Sequence, residues 1–385
     1  MTAAPRTFPF HRLTGSHRAI GRQFGEACGD LIGRHRDLAL ARLGKNAAIT
    51  PASALAAAAR YRGYVLDHAP FLDEEVQGVA EGAHLPLEEA YLLQLRAEVA
   101  APVVGGAAPR LADPADAGDE CTTFAILAGA TPNGVPLVGQ NADLPAFYRE
   151  IGVILEIVPD DAPAVLMLTP AGQVSYIGMN DRGLGVFANF LTCDGWRLGF
   201  PRYFLSRLAL TRETVEEAIA AVRAVPRASS RNLIMLDAHG VAADLETTPT
   251  RDARLDPEND LLAHANHYVA ESLRDEERVS DAYLPNTRTR LARMRELLAA
   301  NHGQLDAARM QEILRDRATY PDTLCRAPGD AANSDTITFA SVIAAPTTGE
   351  LWVAVGPPHE HPYQRHIFGN APTMTDASKE AMVAD

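Results

Sequence analysis

Cys121 stands where a stretch rich in Pro, Gly and Asp gives way to an apolar run, in Asp119-Glu120-Cys121-Thr122-Thr123-Phe124. Further along lie Gln140-Asn141-Ala142-Asp143 and His264-Ala265-Asn266-His267. A cysteine at the head of a strand, with an Asp and an Asn able to join it in the fold, reads as a nucleophile that becomes a new chain N-terminus by self-cleavage. The thiol attacks, and the α-amino group freed on the same residue serves as its base. Such a protein hydrolyses amides or transfers acyl groups, and it must first cut itself.

Each of these residues also has a plainer reading. A lone cysteine is usually a small buried hydrophobe. Asp143 ends a strand, where it either caps a turn or supplies a carboxylate to the new amine or to an arginine. On a strand, His264 and Asn266 share a face and His267 points away. That spacing, with no matched carboxylates, argues against zinc. Asn266 is then either a polar strand end or a donor to a developing oxyanion. Gly183-Leu184-Gly185 lacks the spacing and the following helix of a phosphate loop. Arg288 and Arg290 read as surface charge on a helix, whereas Arg326, beside Cys325 after a loop, is harder to set aside.

These candidates need elements to place them. Ile20, Phe24, Cys28, Leu31 and Ile32 recur at helical steps, and residues 14–100 read mostly as helix, with runs over 51–68, 72–81 and 86–96. Residues 101–119 hold three Pro and three Gly without periodicity, the composition of a flexible connector. Beyond Cys121 the pattern becomes short strands, over 122–127, 135–139, 152–158, 165–169 and 184–189. Tight turns at Asn133-Gly134 and Asn180-Asp181-Arg182-Gly183 join some of them. Adjacent strands joined in this way form antiparallel sheet. A helix opens at Thr214 with Glu217 completing a capping box. Strands follow over 233–236 and 241–245, helices over 283–298 and 306–317, and late strands over 337–343 and 351–355. The fold class is α+β, with helices outside antiparallel sheets.

Composition narrows the function classes. The chain has 385 residues, 47% hydrophobic and 22% charged, enough for a large core without staples. Lys+Arg is 35 against Asp+Glu 49, a formal charge of -14. That balance argues against nucleic acid or an anionic membrane as partner. The four cysteines, Cys28, Cys121, Cys193 and Cys325, are far apart and form no CxxC. They read as free thiols of a reducing compartment. No apolar signal core opens the sequence, so the expected location is cytoplasmic.

Several segments together resemble the penicillin acyltransferase family of N-terminal-nucleophile enzymes. They are Asp-Glu-Cys121-Thr-Thr-Phe, Gly139-Gln-Asn-Ala-Asp143, Pro170-Ala-Gly172, Gly178-Met-Asn-Asp-Arg-Gly-Leu184, Asn189-Phe-Leu191 and His264-Ala-Asn-His267. Gly15-Ser-His-Arg-Ala-Ile-Gly21-Arg-Gln-Phe-Gly25, Leu95-Arg96-Ala97-Glu98 and Asp322-Thr-Leu-Cys-Arg326 extend the likeness over roughly residues 15–360. The resemblance implies a four-layer αββα sandwich of one domain. Cleavage between Glu120 and Cys121 would divide it into a helical segment 1–120 and a catalytic segment 121–385 that stay associated. It also implies Cys121 as nucleophile, Asp143 as an active-site acid, Asn266 in the oxyanion hole and Arg326 as a further catalytic residue. Two positions depart from the family pattern: Glu120 stands where Gly is usual, and Ala142 where an aromatic is frequent.

The expected partners are a small-molecule acyl donor, either an amide or a coenzyme A thioester, and water or an amine as acceptor. No cofactor is called for. A choloylglycine-type amidase shares the fold and nucleophile, and a non-catalytic binding protein could keep the fold. A papain-like protease would need a Cys/His/Asn set on another fold, and its cysteine is not made by a cut at its own amide.

Overall fold

The computed structural model describes residues 6–45, 49–95, 97–100, 120–330 and 334–374. The 101–119 connector and Arg96 lie outside the described residues, and of Glu120 only the backbone is described.

Two sheets form the centre. One contains β1 (Phe10–Gly15), and the second begins with β2 (Glu120–Ile126) and β3 (Leu137–Pro145). The first sheet continues through β4 (Gly152–Pro159), β5 (Val165–Pro170), β6 (Ile177–Asn180), β7 (Gly185–Asn189), β8 (Arg231–Leu236), β9 (Ala242–Thr247) and β10 (Asp252–Leu255). The second has the order β11-β2-β3-β12-β13-β14-β15. Its later strands are β11 (Leu261–His264), β12 (Thr336–Ala345), β13 (Glu350–Val355), β14 (Tyr363–Ile367) and β15 (Asn370–Met374). All pairings are antiparallel except β1 with β4. The sheets pack face to face through Ala125, Val138 and Ala142 on one side and Leu166, Leu168 and Phe187 on the other, all buried in one core.

Helices cover both outer faces. The N-terminal segment supplies α1 (His17–Leu43), α2 (Pro51–Ala59), α3 (Arg62–His68), α4 (Pro70–Gly82), α5 (Leu87–Leu93) and α6 (Ala97–Ala100). Helices α7 (Phe204–Ala209) and α8 (Val215–Ala224) lie with α1 against the first sheet, and α9 (Leu284–Ala300) and α10 (Ala307–Ile313) against the second. On that second outer face Phe124, Ile126 and Ile343 meet Leu291, Met294 and Met310. This is the expected four-layer αββα sandwich.

Local chemistry accounts for most boundaries. The Thr214 hydroxyl caps α8 by accepting from Glu217 N, and the Glu217 carboxylate accepts from Thr214 N in return. Gly183, at φ +91°, turns β6 into β7 in a conformation that favours glycine. The run read as one helix over 51–68 is two, separated at Arg60-Tyr61. Strand β1 and helix α7 were not foreseen. All six residues of α7 are buried, so it has no polar face and no readable periodicity.

Candidate active site

Cys121 is the second residue of β2 and is 4% exposed. It pairs with Ala142 on β3, so its side chain shares the inter-sheet face with Ala142. Gln140, two residues before Ala142, lies on that same face. Its Nε2 donates to Cys121 Sγ at 3.5 Å, while its Oε1 accepts from Ala188 N of the facing sheet at 2.9 Å. The second bond decides which end of the amide meets the sulfur.

Side chains hold both backbone groups of Cys121. Its N–H donates to Asn266 Oδ1 at 2.8 Å. Its carbonyl accepts from Asn189 Nδ2 at 3.0 Å and from Arg290 Nη1 at 2.8 Å. Asn189 Oδ1 in turn accepts from Thr123 Oγ1 and Asn232 Nδ2. The pairing of His264 with Thr123 explains how Asn266 arrives: two residues further along, the chain passes Cys121. Strand β11 ends at His264, so Asn266 lies beyond it and not on the strand expected from the sequence. Asn266 Nδ2 donates to Phe190 O at 3.0 Å.

The two histidines of that segment have other work. His264 bonds Glu246 Oε1 through Nε2 and the Ala265 carbonyl through Nδ1, each at 2.7 Å. Burial would lower its pKa, but Asp244, Glu246 and the Ala265 carbonyl raise it to about 8. His267 meets Thr287 Oγ1 at 3.0 Å. Burial, then His264, Arg290, Arg288 and Arg295, push it down to about 3. Among the described residues no group of three or more His, Cys, Asp and Glu is gathered to hold a metal ion.

Asp143 is fully buried on β3 and pairs with Glu120, the residue before Cys121. Its position therefore flanks the Glu120–Cys121 peptide, while its side chain takes the face opposite to that of Cys121. There Asp143 Oδ1 accepts from Thr338 Oγ1 at 2.6 Å. Thr338 also receives Arg326 N on its hydroxyl and donates its own N–H to Arg326 O, each at 2.9 Å. Asn141 steers the same segment, donating to the carbonyls of Leu314 and Leu324. The four expected site residues thus fall into two linked pairs: Cys121 bonded to Asn266, and Asp143 joined to Arg326 through Thr338.

The other three cysteines are poor nucleophiles. Burial pushes the Cys28 thiol up to about 12, Cys193 to about 11 and Cys325 to about 12, the last despite a contact of 3.0 Å to His359 Nδ1.

Sequence reasoning missed Gln140, Asn189, Thr338 and Arg290. Arg290 is a correction, because it is 0% exposed and not a surface charge. The signal was present: Asn286, Thr287, Arg290, Leu291, Met294 and Leu298 recur at helical steps and form the buried stripe of α9. An arginine on an apolar stripe was taken for its usual place in water.

The family model described as acyl-coenzyme A:6-aminopenicillanic acid acyl-transferase matches residues 130–360. The acyl-coenzyme A:6-aminopenicillanic-acid-acyltransferase 40 kDa form of Emericella nidulans is 29% identical over 256 residues. That stretch covers 66% of this chain and 66% of the relative's own length, just under two thirds. Among solved structures, a conjugated bile acid hydrolase from Clostridium perfringens aligns with TM-score 0.44 and 14% identity, over 66% of this chain and 96% of that one. A penicillin V acylase from Agrobacterium tumefaciens aligns with TM-score 0.38 and 14% identity, over 62% and 75%.

Proposed function

We propose, from the premise that the chain belongs to the acyl-coenzyme A:6-aminopenicillanic acid acyl-transferase family, that it is a self-processing cysteine enzyme that transfers or hydrolyses acyl groups through a thioester on Cys121. The observation that carries this reading is the capture of the Cys121 N–H by Asn266 Oδ1 at 2.8 Å. A strand residue normally gives its N–H to a neighbouring strand. Here a side chain takes it, and that acceptor remains when the nitrogen becomes a terminal amine.

In processing, the Cys121 sulfur attacks the Glu120 carbonyl carbon. An S–C bond forms, the C–N bond to Cys121 breaks, and the nitrogen takes up the thiol proton. Water then hydrolyses the thioester, leaving the Glu120 carboxylate, a free thiol and a free amine. Asp143, paired across from Glu120, serves this step from beside the scissile peptide, and Thr338 and Arg326 hold it in place. In turnover, the α-amine accepts the thiol proton as sulfur attacks an acyl donor, then returns it to the leaving amine or thiol. The ordinary pKa of an α-amine, about 7.7–8.0, suits that role at neutral pH. Water or an amine resolves the acyl-enzyme. Asn266 Nδ2 carries a second hydrogen beside the one given to the Phe190 carbonyl, and that hydrogen assists the oxyanion.

The two pieces are held together by buried contacts. Arg207 Nη2 pairs with Glu75 at 2.7 Å and Arg202 with Glu98 at 3.4 Å, all four side chains about 1% exposed. Gln94 adds bonds to Gly172 O and Val174 N. Intact mass and N-terminal sequencing should find one chain ending at Glu120 and one beginning at Cys121, eluting together in size exclusion and parting only in denaturant. Cys121→Ala should leave an uncut, folded and inactive chain. An active preparation that is wholly uncut, or an active Ala variant, would overturn the reading.

A further inference from the structure

Arg290 projects from α9 into the site and is fully buried. All five of its N–H donors find an oxygen. Nε donates to Asn286 Oδ1 at 3.0 Å. Nη1 donates to the Cys121 carbonyl at 2.8 Å and to Thr122 Oγ1 at 2.9 Å. Nη2 donates to Asn266 Oδ1 at 3.0 Å and to Tyr283 OH at 2.9 Å. Every one of these acceptors is neutral, and among the described residues no carboxylate pairs with the guanidinium. Burying a cation without a counter-ion is costly. A residue needed only to fasten α9 to β2 could do so without charge.

We infer that Arg290 is a positioning residue for the nucleophile, whose buried charge biases residue 121 toward an ionised thiol and a neutral amine. The inference rests on the reading of Cys121 as a self-processed nucleophile. Geometry carries it. The Cys121 nitrogen and Arg290 Nη2 both donate to Asn266 Oδ1, at 2.8 and 3.0 Å. They therefore lie within about 6 Å of one another, the range in which a like charge disfavours protonation of an amine. The same field favours a thiolate on the same residue. A neutral amine is the form that can accept the thiol proton, so the cation favours the working state of both groups at once. His267, which abuts Arg290 through Thr287, reports the same field: burial, His264 and then Arg290 hold it neutral.

Other charged and titratable groups face this corner. Asp143 pairs beside it on β3. Arg326 and Cys325 lie beyond Thr338. His264 with Glu246 and Asp244 stands behind Asn266. Asp322 accepts from Asn286. Tyr283, Arg288 and Arg295 share α9 or its start, and Arg202 with Glu98 covers the Phe190 ring. None of these is bonded to both Cys121 and Asn266, as Arg290 is.

The test compares the wild-type full chain with Arg290→Lys, which keeps the charge and loses the fork, and Arg290→Gln and Arg290→Met, which lose both. Iodoacetamide alkylation of Cys121 is followed from pH 5 to 10 by mass spectrometry, on cut and uncut chains alike. The alkylation midpoint should rise by about 1–2 pH units in the Gln and Met variants and stay near the wild-type value in the Lys variant. A fork with a merely structural role would lower stability in all three without separating Lys from Gln. Equal midpoints for Lys and Gln, or an unmoved midpoint in Gln, would overturn the inference. So would a loss of folding in both uncharged variants with a wild-type midpoint in no variant, since Arg290 would then serve the fold alone. If the wild-type chain is not cut and Cys121 alkylates no faster than Cys28, Cys193 and Cys325, the nucleophile reading itself fails and takes this inference with it. A cut, reactive wild type with an unresponsive midpoint sinks only the role of Arg290.

Discussion

Asn266 offers one oxygen and two amide hydrogens, and the structure commits the oxygen and one of the hydrogens. The oxygen takes the Cys121 N–H and Arg290, and the nitrogen goes to the Phe190 carbonyl. Replacing it with alanine orphans a buried cation donor and releases the residue-121 nitrogen as well as removing the proposed oxyanion donor. Asn266→Ala should therefore slow self-cleavage and also reduce turnover by about 10²–10³, a pair of effects read by intact mass over time and by initial rates on the cut fraction. Normal cleavage with lowered turnover would confine Asn266 to the oxyanion. Normal values of both would make it a loop anchor. The residue type was readable at this scale, but the partner of each of its atoms was not.

At the scale of elements, two glycine pairs show how spacing acquires meaning only when a second element arrives. Gly21 and Gly25 on α1 face Gly78 and Gly82 on α4, each pair four residues apart. A Cβ on Gly21 would run into the Glu75 carbonyl oxygen, one on Gly78 into Arg18 O, and one on Gly82 into Arg22 O. The helices touch backbone to backbone, which only glycine permits. Gly78→Ala should cost about 1–3 kcal/mol in urea unfolding, because the helices must part. Gly33→Ala, on the same α1 but facing open space, should cost nothing and gain a few tenths from helix propensity. Equal effects would mean that the close approach does not hold the two helices together. The Gly21/Gly25 spacing could be seen in the chain. Its partner could not, since a small-residue stripe does not say which helix it meets.

The whole molecule carries buried histidines whose charge depends on folding. Burial pushes His267 down to about 3 and His366 to about 4, against about 6.5 in the unfolded chain. Between those values the unfolded state binds more protons, so their contribution is present above pH 6.5 and lost on acidification. Asp244, raised by burial to about 6, opposes one of them between about pH 4 and 6, leaving a net loss. His264 has the other sign. Burial lowers its pKa, but Asp244 and Glu246 outweigh that and raise it to about 8, so its contribution is full below 6.5 and lost as pH rises through 8. Stability should peak near neutrality, falling on each side by about 1.4 kcal/mol per pH unit for each net proton. Urea midpoints from pH 4 to 9 measure this. His267→Gln should flatten the acid side, and a profile level from 4 to 8 would contradict the assignment.

The chain alone determined the class of the fold, the antiparallel run after Cys121, the helices on α8 and α9, and the family of the chain. Turn residues, capping boxes and hydrophobic periods are local, and they survive in sequence because neighbours along the chain produce them. The tertiary structure decided what no local rule contains. It put Asn266 past the end of β11, set Asp143 across from Glu120, and placed Gln140 against the thiol through a bond to the opposite sheet. It also turned Arg290 inward. These positions are set by strand register and by the stacking of two sheets and a helix, in which residues more than a hundred apart in sequence become neighbours, and a residue's type does not reveal which neighbours it will have.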